Sequence, residues 1–273
     1  MPDRKEYSEQ SMEWLEKELM SKRVTTIRPG IRMVLYGKPG VGKTVFGATL
    51  PRPLILAVEK GWLSIAERFK DMPVIGIDQY DELKMALAFL RRDAGKTYDS
   101  VVIDSLSEAR RKHMDDLLEL NQKAAPTLDM YLANTTELRR LVREYCDLSI
   151  NVLFICSSKT EKNEETGAMH TGIGLTRALA GEMPGYVDVL GYMGVKVVRD
   201  AEKHTTIERF ILTEPTDRID AKDRSGKLPR IIQPVIFAKI ETAIFPSAPA
   251  ETKEQPAERV EKPQTGEGVL PGK

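Results

Sequence analysis

The run Gly37-Lys38-Pro39-Gly40-Val41-Gly42-Lys43-Thr44 fits the spacing G-x-x-x-x-G-K-[ST]. Glycines at those positions let a backbone wrap an anion with its amides turned inward, and a helix starting where the run ends adds partial positive charge. The chemistry is phosphate binding. Lys43 reaches toward the β- and γ-phosphates of a nucleotide, and the Thr44 hydroxyl ligates Mg²⁺. A second magnesium handle belongs at the tip of another strand. Ser100-Val-Val-Ile-Asp104-Ser105 offers one, with Asp104 emerging from an apolar run. Glu59 ends the apolar run Leu54–Val58, just beyond the phosphate loop and its helix. A carboxylate there can face a γ-phosphate and polarise the attacking water. The plain alternative for either acid is a strand-end residue opening a turn. The phosphate loop upstream favours the chemical reading.

Neighbouring chemistries fit less well. Ser158-Lys-Thr-Glu161 lies where a guanine-reading N/T-K-x-D element would, but lacks its first and last residues. No D-x-x-G follows Asp104, where the run is Asp104-Ser-Leu-Ser107. A GTPase is therefore disfavoured. A small-molecule kinase would want an arginine-rich lid, and Arg110-Arg111-Lys112 fit better as the polar face of a helix. His113, His170 and His204 lie far apart, so no zinc site is expected. Cys146 and Cys156 sit in apolar stretches without a CxxC pair, as reduced core cysteines do.

The elements that must position these residues are legible as apolar runs. Arg32–Tyr36, Leu54–Val58, Val74–Ile77, Val101–Ile103 and Val152–Cys156 read as buried strands. Their continuous apolarity, rather than alternation, suits a parallel sheet covered on both faces. Helical patterns fill the gaps: Leu83, Leu87 and Leu90 in one, Leu117, Leu118 and Leu120 in another, Thr135–Asp147 in a third. Such alternation implies a doubly wound α/β domain. After Gly185 the pattern turns strand-like again and predicts a hairpin.

The 273 residues are 41% apolar, enough for a sizeable core, and 41 basic residues balance 41 acidic ones. That balance excludes a globally basic nucleic-acid coat, though local basic patches remain open. No apolar run approaches the roughly 20 residues that span a bilayer. The opening MPDRKEYSEQ lacks an apolar h-region, so a soluble, cytoplasmic chain without membrane contact is expected. Met12, Leu15 and Leu19, with Trp14 beside them, predict an N-terminal helix within 1–25. From Ser247 the composition turns to Pro, Glu, Lys, Gln and Gly without aromatics, which predicts a disordered tail over 247–273. The domain that carries the phosphate loop is expected over 26–246.

The combination of GKPGVGKT, Glu59-Lys-Gly61, VVIDS and Asp220-Ala-Lys222-Asp-Arg224-Ser-Gly226-Lys-Leu-Pro229 resembles phage-type, RecA-like P-loop nucleotide-binding proteins. The resemblance covers roughly residues 30–232. It implies an α/β RecA-like P-loop fold, a mainly parallel sheet flanked by helices, with a C-terminal β-hairpin extension. It also implies an Mg-ATP-dependent ATPase acting on single-stranded DNA in recombination or strand annealing. A homo-oligomer, ring or filament, and a single-strand-binding protein are the partners it implies. In such proteins a Lys-x-Arg-x-Gly element reaches a neighbour's γ-phosphate, and Lys222 and Arg224 match it. A planar guanidinium can meet two phosphoryl oxygens while lysine adds a point charge. The alternative for this element is a basic surface turn stabilised by Asp220 and Asp223. The family commonly has Gln or His just beyond the fifth strand, where this chain has Ser157 and Ser158.

The polar, glycine-rich segment Lys159–Gly174 stands where RecA-like proteins place a DNA-facing loop. Lys159, Lys162, His170 and Arg177 are its candidate phosphate contacts. Three glutamates in the same segment argue for modest, salt-sensitive affinity, and a surface loop without DNA is an equal alternative. Arg139, Arg140 and Arg143 form another basic cluster that a solvated helix face explains equally well. Two other functional classes stay open: a helicase-like motor or loader, and a non-hydrolysing, nucleotide-gated scaffold.

Overall fold

The computed structural model describes residues 30–246 apart from 60, 62, 94, 163, 165, 166 and 200–204. The N-terminal helix expected within 1–25, the tail over 247–273 and His204 lie outside the described residues. In chain order the elements are β1 (Arg32–Gly37), α1 (Lys43–Gly47), β2 (Pro53–Ala57), α2 (Leu63–Ala66), β3 (Val74–Gly76), α3 (Tyr80–Asp93), β4 (Ser100–Asp104), α4 (Leu106–Leu120), α5 (Leu128–Cys146) and β5 (Asn151–Lys162). They continue with β6 (Met169–Ile173), α6 (Arg177–Tyr186), β7 (Val189–Arg199), β8 (Thr205–Leu212), β9 (Lys222–Asp223), β10 (Ile231–Ile232) and α7 (Phe237–Ile244).

Among the described residues the strands form one sheet in the order β10-β8-β7-β1-β5-β4-β2-β3, with β6 on β5 and β9 on β7. From β7 to β3 every neighbouring pair is parallel. The apolar runs are continuous because both faces are covered. Val34, Leu54, Leu56, Val101, Ile103, Val152 and Phe154 turn to one face, packed under Leu83, Leu87, Leu138, Leu141 and Leu179 of α3, α5 and α6. Met33, Leu35, Ile55, Val102, Leu153 and Ile155 turn to the other, under Phe46, Ile65, Phe237 and Ile240. This is the α/β RecA-like architecture that the residues imply, and the hairpin expected after Gly185 is β7–β8.

One expectation is corrected. Lys159–Gly174 is not a loop: the outer half of β5 pairs antiparallel with β6, from Ser158 beside Ile173 to Lys162 beside Met169. Its strand character is hidden because most of its side chains on both faces meet solvent. The helix expected around Leu117, Leu118 and Leu120 is α4, which buries Leu106, Ala109 and Met114 and leaves Leu120 80% exposed at its end. The α5 arginines match the solvated-face reading, with Arg140 and Arg143 exposed, and each has a partner. Arg139 pairs with Glu182, Arg140 with Glu144, and Arg143 stacks on Tyr186.

The centre of the sheet should dominate stability. Phe154 on β5 is fully buried, with its ring edge-on to Tyr145 at 6.4 Å, and the Tyr145 hydroxyl donates to the Leu83 carbonyl at 2.8 Å. Truncating Phe154 to Ala should cost about 3–5 kcal/mol, measured by urea unfolding.

Candidate nucleotide-binding site

Register brings the predicted residues to one edge. Gly37 at the end of β1 lies beside Ser157 of β5, Asp104 of β4 beside Ile155, and Ala57 of β2 beside Asp104. The carboxyl ends of these parallel strands therefore open onto one crevice, where α/β sheets bind ligands. A cleft of about 400 Å³ lies there, lined by the phosphate loop, Glu59, Asp104, Ser105, Ser157 and Arg209.

The loop folds as its glycines permit. Gly40 and Gly42 have φ of 77° and 106°, backbone that residues with side chains rarely adopt. Gly42 is the N-cap of α1, so the first amides of that helix face the cleft without a side-chain cap. The Lys43 ammonium donates to the carbonyls of Gly37 at 3.0 Å and Lys38 at 2.9 Å, which holds it inside its own loop. Burial lowers its pKa, while Asp104 and Glu59 oppose that shift.

Across the cleft the Thr44 hydroxyl donates to Asp104 Oδ2 at 2.6 Å. Asp104 is buried, which raises its pKa; the Thr44 bond and Lys43 offset this while Glu59 adds to it. The Glu59 amide donates to the Asp104 carbonyl at 3.1 Å, and the Ser105 hydroxyl donates to Glu59 Oε1. The two acids are thereby linked through backbone and a shared neighbour. Lys43, Thr44, Glu59 and Asp104 all meet here, together with Gly37 to Gly42.

The structure adds residues that motif spacing does not reveal. Ser105 caps α4 by accepting from the Glu108 amide at 3.2 Å. Ser107 accepts from the Ser157 amide at 3.1 Å and donates to the Gly174 carbonyl at 3.1 Å, while the Gly174 amide donates to the Ser157 carbonyl at 2.7 Å. A Cβ on Gly174 would lie 2.3 Å from Ser157 Oγ, so only glycine fits this joint. It ties the cleft to the base of the β5–β6 hairpin. Arg209 of β8 enters from the other side. Strand alternation could have placed it, since it shares a face with buried Ile211.

The remaining candidates lie elsewhere. Lys159 pairs with Glu161, and His170 lies 3.1 Å from Asp220, both on the hairpin beyond Ser157. Lys162 ends β5, and Arg177 is exposed at the start of α6. Lys222 and Arg224 are not in this cleft. β9 pairs with the first residues of β7, beside Met33 rather than Gly37, about 13 Å down the strands. There Lys222 donates to the Pro184 carbonyl, and Arg224 to the Gly185 carbonyl at 2.7 Å and Asp188 at 3.3 Å, at the end of α6.

Residues 29–225, well over half of the chain, match the family model described as AAA domain. Among solved structures the chain is similar to an ATPase from the type III secretion system of pathogenic bacteria, at 14% identity and a TM-score of 0.41. That match covers 61% of this chain and 51% of that one, so the chain spans about half its length. It is also similar to the flagellar accessory protein FlaH from Methanocaldococcus jannaschii, at 11% identity, covering 68% and 78% of the two chains with a TM-score of 0.34. No curated protein sequence matches it.

The raised pKa of Asp104 carries a stability cost. A carboxyl whose folded pKa lies above its unfolded value favours folding most below the unfolded pKa, and that contribution is lost as pH rises through the folded pKa. Ionisation of Asp104 therefore opposes folding of the ligand-free protein. Asp104→Asn should raise the unfolding midpoint of ligand-free protein at pH 7, and the gain should shrink toward pH 4. Thermal melts across that range, with and without Mg-ATP, check it: the variant should lose most of the stabilisation by ligand.

Proposed function

The chain belongs to the AAA domain family, and from that premise we propose that it binds Mg-ATP at the phosphate loop, hydrolyses it, and acts on single-stranded DNA in phage-type recombination or strand annealing. One observation carries the nucleotide half: the Thr44 hydroxyl and the Asp104 carboxylate touch at 2.6 Å, with Glu59 beside them on Ser105. Two hard oxygen donors from different elements suit Mg²⁺, which takes one or two side chains and completes its shell with phosphates and water. Thr44 and Asp104 would hold it, and bound there it supplies charge neutralisation on the phosphate oxygens.

The protein's own groups do the rest. Loop amides and Lys43 hold the β- and γ-phosphates and stabilise the charge that spreads over the phosphoryl oxygens. Glu59 orients the attacking water and accepts its proton, and Ser105 fixes the carboxylate that does so. Ser157 stands at the position of the γ-phosphate sensor, and its bonds to Ser107 and Gly174 offer a route from the cleft to the β5–β6 hairpin. On that hairpin Lys159, Lys162 and His170, with Arg177 nearby, are the proposed DNA contacts. Their carboxylate neighbours Glu161 and Asp220 support weak, salt-sensitive binding rather than tight binding. Lys222 and Arg224, remote from the chain's own loop, act on a neighbour's nucleotide in an oligomer. A nucleotide-gated scaffold is the second reading, favoured by Ser157, which offers a hydroxyl where an amide or imidazole would reach further.

Lys43→Ala should lose Mg-ATP binding, read by calorimetry. Glu59→Gln should keep binding but slow hydrolysis about 10²–10⁴-fold in a phosphate-release assay. Unchanged turnover would remove Glu59 from the mechanism, and no turnover in the wild type, with or without single-stranded DNA, would favour the scaffold. Arg224→Ala should bind ATP yet hydrolyse it poorly, and mixing it with Lys43→Ala should restore part of the activity. A monomer with concentration-independent turnover would refute action in trans.

A further inference from the structure

Arg209 has no part in the chemistry above, yet it lies at the phosphate loop. β8 pairs antiparallel with β7, Arg209 opposite Val195 and Ile211 opposite Met193. Ile211 and Met193 are buried on the face that α1 covers, so alternation turns Arg209 to the same side, one step further out over the loop. Its Nε donates to the Val41 carbonyl at 3.0 Å. A Cβ on Gly42 would lie 3.2 Å from that Nε and 3.3 Å from Arg209 Cδ, so the missing side chain at Gly42 leaves the arginine room to lie against the loop.

We propose that Arg209 is a nucleotide-contacting residue of the chain's own cleft, its guanidinium taking the phosphate chain from the side opposite Asp104. The proposal rests on the nucleotide-binding reading and deepens it. Nε is committed to Val41, and among the described residues Nη1 and Nη2 meet no carboxylate or carbonyl. Among the described residues the guanidinium is thus anchored at one nitrogen and open at the other two, in a cleft whose wall it shares with Gly40, Gly42 and Lys43. A planar fork fixed in this way suits the oxygens of a phosphate better than a mobile ammonium does. The charge balance points the same way. The cleft already holds Asp104 and Glu59, and a triphosphate adds several negative charges, against which Lys43 is one cation held within the loop. Arg209 supplies a second, and it does so in cis. Lys222 and Arg224 cannot, being at the other end of the strands.

The test compares wild type with Arg209→Ala, Arg209→Lys and Arg209→Gln. Calorimetric titrations use Mg-ATP and, separately, inorganic tripolyphosphate with Mg²⁺, and melts of the ligand-free proteins run alongside. Gln keeps a donor that can reach the Val41 carbonyl while removing the charge, so it separates a brace on the loop from a contact to the ligand. The expected result is a loss of about 10- to 100-fold in affinity for both ligands in the Ala and Gln variants. Lys should recover part of it, and the Gln variant should melt close to wild type. Wild-type affinity in the Gln variant would reduce Arg209 to a brace and overturn the proposal. So would a loss for Mg-ATP with tripolyphosphate unchanged, which would move the contact to the base or ribose. Failure of wild type itself to bind either ligand would overturn the nucleotide-binding reading beneath it, and is distinguishable because no variant is involved.

Discussion

The hydrogen bond from Thr44 to Asp104 is the contact on which the rest of the site depends. Asp104 ends a strand whose other residues are all buried, so its carboxylate is held largely out of water. A desolvated anion costs free energy unless it is paired. Without ligand, a neutral hydroxyl at 2.6 Å and the charge of Lys43 are the compensation that this chain provides. Neither is equivalent to a divalent cation, so the site is built to be completed. The same burial that raises the pKa of Asp104 lowers that of Lys43. Two opposite charges are thus held close but apart, each less comfortable than in water, and a Mg-phosphate group that enters between them satisfies both.

That arrangement demands a fold that fixes several strand ends to one level. Parallel pairing does so, because neighbouring strands begin and end together. Gly37, Ser157 and Asp104 are set by the β1–β5 and β5–β4 registers, and Glu59 follows from the β2–β4 register through its amide bond to Asp104. A slip of one residue in β4 would turn Asp104 to the other face of the sheet and bring Ser105 to the strand tip. The wide apolar contacts on both faces prevent it. Register is thus protected by the core, and the site inherits that protection.

What was legible in the sequence follows the same division. The phosphate loop, Asp104 and Glu59 are local patterns, readable because their chemistry needs adjacent residues or a strand tip. The inner strands are readable because burial on both faces leaves only apolar residues. The β5–β6 hairpin was not readable, since Lys159, Glu161, Lys162 and His170 turn to solvent and no apolar period marks the strands. Within it the strands are held by backbone pairing and a contact between Thr160 and Thr171 at 3.0 Å, which only the register brings opposite. The same is true of Arg209. Alternation with Ile211 gives its face, but only the alignment of β8 with β7 brings it over the phosphate loop.

The hairpin side of the sheet has its own logic. The hydroxyl of Tyr36 donates to the Asp220 carbonyl at 2.5 Å and shares that one proton with the Thr171 carbonyl at 3.2 Å. The segment leading into β9 and the β6 strand of the hairpin therefore hang on one buried phenol of the strand that precedes the phosphate loop. Asp220 also faces His170 of the hairpin. Two residues on, Lys222 begins the pairing with β7. The hairpin, the Lys222–Arg224 element and the phosphate-loop strand are consequently one connected set of hydrogen bonds rather than three independent appendages. A displacement of the hairpin, whatever binds it, is resisted at Tyr36 on one side and at the Ser157–Gly174 joint on the other. Both anchors belong to β1 and β5, the strands that carry Gly37 and Ser157 to the cleft, so the hairpin and the nucleotide site share their supports.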